Sequence, residues 1–172
     1  MAVQVRNFLG RDITIPNDRL YDAHEGLWIK KREDGAIEIG ITEPSILVAG
    51  MVREAEPLSE AGTTVAPGET VMLVLTSKLM YIASPISGVI GFPDFSAEVM
   101  QRLAENPYSV PLFSVVASED TLPGLADAEK YADSLKDSEG SRNPGGRKGG
   151  VSPTCKAVYM GIGQQSLRSD TD

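Results

Sequence analysis

The chain has 172 residues, 41% of them hydrophobic and only 6% aromatic, enough for one domain whose core is built mainly from Val, Ile, Leu and Met around a single Trp, Trp28. Lys plus Arg total 16 against 24 Asp plus Glu, and the net charge of −8 repels phosphate backbones, which argues against a nucleic-acid partner. One cysteine, Cys155, excludes an intramolecular disulfide framework and a cysteine-based zinc site, and no apolar run is long enough to span a bilayer.

Residues 1–14 read as an N-terminal extension. They lack a basic segment followed by an apolar one, so no secretory signal is expected and the expectation is a soluble, cytoplasmic protein. Strand patterns dominate residues 27–116. In residues 36–41 Ile37, Ile39 and Ile41 share one face and Glu38 the other. Residues 47–54 read as a further strand interrupted by Gly50. Ala66-Pro67-Gly68-Glu69 is a turn signal that leads into the apolar run 70–75. Residues 79–83 form another short run, broken by Ser84-Pro85. Ser87-Gly88 then opens residues 89–92, and residues 111–116 close the series. Many short strands separated by Gly and Pro turns predict an all-β sandwich or barrel with minor helices.

Two helices interrupt the strands. Ser96 is placed to cap a helix over 97–104, with Val99, Met100 and Leu103 on one apolar side. Residues 122–136 form the second, in which Leu125, Ala128, Tyr131 or Ala132, and Leu135 recur at helical spacing. Its apolar stripe predicts a surface helix lying over one end of the sandwich. Residues 138–172 begin with a Gly- and Ser-rich stretch carrying almost no aliphatic side chains, and this tail is expected to be disordered.

A set of short motifs in order resembles the H proteins of the glycine cleavage system. Tyr21, His24, Glu25 and Trp28 resemble that family's opening. Gly40-Ile41-Thr42, a short helical turn at Pro44 and Ala49-Gly50-Met51-Val52 follow, then Ala61-Gly62 and the pair Gly68-Glu69. Ser84-Pro85-Ile86-Ser87-Gly88 is similar to the return strand shared by lipoyl and biotinyl domains. Asn106-Pro107-Tyr108 precedes the last core strand, and Asp127-Ala128-Glu129 with Tyr131 marks the C-terminal helix. The likeness covers residues 15–136.

The resemblance implies a barrel-sandwich hybrid fold with a C-terminal helix, spanning residues 15–137. It implies that Lys78, reached by counting from Gly68, sits on an exposed hairpin turn and carries covalent lipoate. The implied role is a carrier shuttling an aminomethyl or other group, and electrons, on a lipoyl-lysine arm. The implied partners are a lipoate ligase or transferase and lipoyl-using enzymes such as glycine decarboxylase, aminomethyltransferase and dihydrolipoyl dehydrogenase, with neither nucleic acid nor membrane. The cofactor would do the redox and group-carrying chemistry while the protein presents a mobile arm.

Two features depart from that pattern. Leu75 stands three residues before the lysine, where the family usually has a Glu that helps its ligase recognise the hairpin. The interval from Lys78 to Pro85 is also one residue short. A one-residue change inverts every later side chain unless the turn absorbs it. Either the turn is shortened near Lys78-Leu79-Met80, or the tip falls on Ser77, which cannot form an amide with lipoate. The biotinyl pattern fits less well, because Ser77 and Leu79 rather than two Met residues flank Lys78.

Other readings remain alongside. An unlipoylated binding or scaffold module would use Leu75, Leu79 and Met80 as an apolar tip. The lone His24, near Trp28, reads as a packing or hydrogen-bonding residue, and Cys155 as an ordinary thiol. No catalytic residue and no metal-ligand spacing is identified, so the chain is not expected to be an enzyme.

Overall fold

The computed structural model describes residues 2–117 and 124–136. The expected disordered tail 138–172, Cys155 and the first two residues of the expected helix 122–136 lie outside the described residues.

In chain order the elements are β1 (Ala2–Phe8), β2 (Arg11–Pro16), β3 (Leu20–Asp22), β4 (Leu27–Lys31), β5 (Ile37–Ile41), α1 (Glu43–Ala49) and β6 (Glu54–Pro57). β7 (Thr64–Val65), β8 (Thr70–Leu75), β9 (Leu79–Ala83), β10 (Gly88–Gly91), α2 (Ala97–Glu105), β11 (Phe113–Ala117) and α3 (Ala128–Lys136) follow. They form a six-stranded sheet in the order β3-β4-β5-β11-β10-β7, a three-stranded sheet β6-β8-β9, and the hairpin β1-β2. Every strand pairing in them is antiparallel.

Both larger sheets contribute to one core. Ile37, Ile39 and Ile41 of β5 meet Phe113 and Val115 of β11, Ile90 of β10, and Met72, Val74 and Ile82 from the smaller sheet. The chain changes sheet after β9 through a turn held by Ser84. Its buried hydroxyl donates to the Ile86 carbonyl at 2.6 Å, and its own carbonyl accepts from Gly68 N at 2.8 Å. A second core lies across β4. Leu27 and Ile29 face the first core, whereas Trp28 between them joins Tyr21, Val5, Phe8, Ile13, Ile15 and the α3 residues Ala128, Tyr131, Ala132 and Leu135. β4 is therefore buried on both faces, because α3 and the β1-β2 hairpin cover what would otherwise be a solvated side.

The helix ends follow their sequence signals. Thr42 accepts from Ser45 N at 3.4 Å to start α1, and Ser96 Oγ accepts from Val99 N at 3.2 Å to start α2, one residue longer than expected. Leu103 of α2 is fully buried, with Val99 and Met100 packed beside it.

Two expectations are corrected. Residues 47–54 are not a strand: α1 continues to Ala49, Gly50 caps it at φ 101°, and pairing resumes only at Glu54. The apolar residues there wrap around the last turn of a short helix, with Ala49 buried and Val48 60% exposed, and the helix start at Thr42-Glu43-Pro44 carries the stronger local signal. The second helix starts at Ala128, not 122. Ala126 instead forms a β-bridge with Tyr21, bonded in both directions at 2.8 Å, and Gly124 takes φ +78°. The fold class otherwise matches: strands dominate and one helix closes the described C-terminal end.

Candidate functional site

Lys78 lies in the connection between β8 and β9. Leu75 pairs with Leu79, so the loop is Thr76-Ser77-Lys78, with Ser77 at its apex and Lys78 as its last residue. Thr76 is buried and closes the turn: its N–H donates to the Lys78 carbonyl at 2.8 Å, and its Oγ1 accepts from Lys78 N at 3.2 Å. Ser77 is not free. Its N–H, at 3.2 Å, and its hydroxyl both donate to the carbonyl of Ala49, the last residue of α1. A β-carbon on Gly50 would sit 3.1 Å from Ser77 Oγ, so the glycine lets the helix end approach the loop.

The hairpin tip is therefore tethered, and of its three residues only Lys78 projects a long side chain. Lys78 is exposed, and among the described residues its ammonium makes no hydrogen bond or ion pair. Of the two outcomes that the shortened spacing to Pro85 allowed, the structure has the second: the apex falls on Ser77, and Lys78 stands on its shoulder. From there β9 alternates Leu79 and Tyr81 outward with Met80 and Ile82 toward the core.

A cavity of about 380 Å3 opens beside the loop. Phe8, Val48, Met80 and Leu135 give it apolar walls, His24 and Glu25 a polar rim, and Lys78 borders it. Of the packing or hydrogen-bonding role expected of His24, packing is the part that fails. Its side chain is 92% exposed on the turn after β3, with Glu25 Oε2 at 3.5 Å from Nε2. A larger hollow of about 500 Å3 is framed by Thr14, Arg19, Glu43 and Tyr108. Its Arg19 is already committed, donating to Asp18 and to the Tyr108 carbonyl and stacking over Trp28 at 4.6 Å.

The motif residues scattered along the sequence converge behind this site. Tyr21 stacks on Tyr131 with ring centroids 4.7 Å apart, and the Tyr131 hydroxyl lies 2.7 Å from Thr42 Oγ1 at the start of α1. Trp28 Nε1 donates to the Pro107 carbonyl at 3.0 Å, and Glu43 N donates to the Tyr108 hydroxyl at 3.1 Å. The Trp28 ring occupies the place a β-carbon on Gly40 would take, at 2.2 Å. These contacts fix both ends of α1: Tyr131 and Tyr108 hold its start, and its last carbonyl holds Ser77.

Burial pushes the hydroxyls of all three tyrosines upward, Tyr131 to about 12. All three act as neutral hydrogen-bonding groups. Asp18 is held well below the usual carboxylate range, first by its hydrogen bond with Arg19 and also by Lys30. No group of three or more His, Cys, Asp and Glu side chains that could hold a metal ion occurs among the described residues. No helix among them is long and apolar enough to cross a membrane.

Sequence reasoning missed Phe8. Its signal was present: Val3 and Val5, then Ile13 and Ile15, alternate on either side of Leu9-Gly10, the pattern of a hairpin. That hairpin brings Phe8 to the cavity beside Lys78.

No protein-family model matches the chain. It is 32% identical over 121 residues to a probable glycine cleavage system H protein of Pyrococcus abyssi, covering 68% of this chain and 90% of that protein. It is 34% identical over 119 residues to the glycine cleavage system H protein of Teredinibacter turnerae, covering 67% of this chain and 89% of the relative. The crystal structure of a glycine cleavage system H protein from Mycobacterium marinum superposes with a TM-score of 0.59 at 30% identity, covering 69% of this chain and 97% of the other.

Proposed function

The chain belongs to the glycine cleavage system H protein family, and from that premise we propose that Lys78 is where lipoate is attached. The protein is a carrier component rather than a catalyst, and family membership favours this over an unmodified scaffold. The observation that supports Lys78 most is its exposed, unpartnered ammonium on a loop whose other two residues are held down.

The residues present fit such a group. The amine is open to a modifying enzyme, and the neighbouring cavity falls at the lower end of the roughly 300–1,000 Å3 of small-molecule sites. When attached, lipoate supplies a disulfide and dithiol that accept a transferred group and two electrons. The chain's own part is positional. Thr76 and Ser77 restrict the base of the arm, Phe8, Val48 and Met80 offer an apolar wall, and Glu25 places a carboxylate where a positively charged cargo would be favoured.

On this reading a lipoate ligase or transferase loads Lys78. Glycine decarboxylase, aminomethyltransferase and dihydrolipoyl dehydrogenase then use the arm in turn, in the cytoplasm. Lys78→Arg keeps the charge but cannot be acylated in this way, so it should abolish carrier function in cells while leaving the thermal melt unchanged. Native protein from lipoate-replete cells that carries no lipoyl increment by intact mass would remove the reading.

A further inference from the structure

The outer face of the β6-β8-β9 sheet does not look like a solvated surface. Register places Leu75 opposite Leu79 and Leu73 opposite Tyr81 on β8 and β9. The alternating residues Met72, Val74 and Ile82 fill the core, so these four point away from it. Leu79 is 49% and Tyr81 64% exposed, and Leu73 and Leu75 are half-buried between them. The result is one contiguous apolar patch that begins next to Lys78. On β6, Glu54 pairs with Leu75 and Glu56 with Leu73, so two exposed carboxylates edge the patch on the side away from β9.

We infer that this patch is the docking surface for the enzyme that acylates Lys78, and that the enzyme meets it with an apolar surface rimmed by Lys or Arg. The inference rests on the proposed lipoylation of Lys78. Three observations select this occupant. The patch is continuous with Lys78 through Leu79, so whatever covers it reaches the amine. Its edge is acidic, which complements a cationic rim and disfavours a second copy of a chain with net charge −8. And Leu75, three residues before Lys78 and paired with Leu79, places a half-buried apolar side chain on the patch at the end nearest the amine, so contact there is apolar. The acylation joins Lys78 Nζ to the acyl carbon while that carbon's bond to a sulfur or phosphate leaving group breaks. The leaving group keeps the electron pair, and the ammonium gives up two protons.

The test uses the full chain in its own host, starved of lipoate and then fed it, with the modified fraction followed by intact mass. Leu79→Ser with Tyr81→Ser should slow acylation roughly tenfold, as loss of a central interface anchor does. Glu54→Lys with Glu56→Lys should slow it without touching the apolar side chains. Val89→Ser with Val116→Ser, which alters an exposed apolar pair on the other sheet, should leave it unchanged. Leu75→Glu is the sharpest arm: apolar docking predicts slower acylation, whereas acidic recognition predicts equal or faster. Melting curves matching wild type show that the variants fold. Wild-type rates in the serine and lysine variants, or an equal or faster Leu75→Glu, overturn the inference while leaving the carrier reading intact. An unmodified wild type overturns both. A wild-type dimer that the serine pair converts to monomer assigns the face to a second copy and also overturns it.

Discussion

Gly50→Ala tests whether the end of α1 controls the lysine loop. The glycine has φ 101° and ψ 166°, a region that only glycine occupies readily, and forcing alanine there costs about 1–3 kcal/mol. The new β-carbon would also lie 3.1 Å from Ser77 Oγ and 3.3 Å from its backbone N, tighter than ordinary contact. Relieving that contact means lifting Ser77 from the Ala49 carbonyl, which gives up hydrogen bonding of about 0.5–1.5 kcal/mol. The sum is about 2–4 kcal/mol, or a fall in melting temperature of roughly 6–12 °C for a domain of this size. Gly35→Ala is the matched control. It too has a positive φ, +91°, but nothing lies within 4 Å of its added carbon, so it should cost only about 1–2 kcal/mol. Melting is followed by circular dichroism, and lipoylation of Lys78 by intact mass. Gly50→Ala should lose more of both than Gly35→Ala. Equal effects of the two substitutions on melting and on lipoylation would refute the idea that α1 props the loop.

Gly40→Ala drives a β-carbon to within 2.2 Å of the buried Trp28 ring and should destabilise by at least the roughly 1–3 kcal/mol of an overpacked core, read as a lower denaturant midpoint. Asp18, with its lowered folded pKa, contributes stability present above its ordinary value of 3.8 and lost as pH falls through the folded value. Asp18→Asn should therefore flatten the acid limb of a stability–pH curve below 3.8. Tyr131 has the opposite sign: its contribution is complete below the ordinary value of 10.0 and is lost as pH rises toward about 12. Tyr131→Phe should melt lower at neutral pH by about 1 kcal/mol, through the lost Thr42 contact, and show a shallower alkaline limb.

What the sequence disclosed followed from how local each signal was. The run 70–75, the short run 79–83 and the cap at Ser96 each carry their information within a few residues, and the structure has all three where expected. Residues 47–54 failed because a run as short as Leu47-Val48-Ala49 has no period that separates a strand from the last turn of a helix; Thr42 and Pro44 decided the matter from outside the run. The second helix failed at its start because Leu125 keeps helical spacing, yet Gly124 and the tertiary bridge between Ala126 and Tyr21 hold that stretch extended. For the site, Lys78 was reachable only by counting against a known pattern. Its tether to Ala49 and the apolar face formed by Leu73, Leu75, Leu79 and Tyr81 depend on cross-strand and helix-end contacts, which no periodicity along a single segment reports.

The most direct measurement is peptide mapping by tandem mass spectrometry of the protein isolated from its own host grown with ample lipoate. A lipoyl amide on Lys78 and on no other lysine is the predicted result. Lipoate found on a different lysine, or Lys78 recovered only as the free amine, would contradict the account.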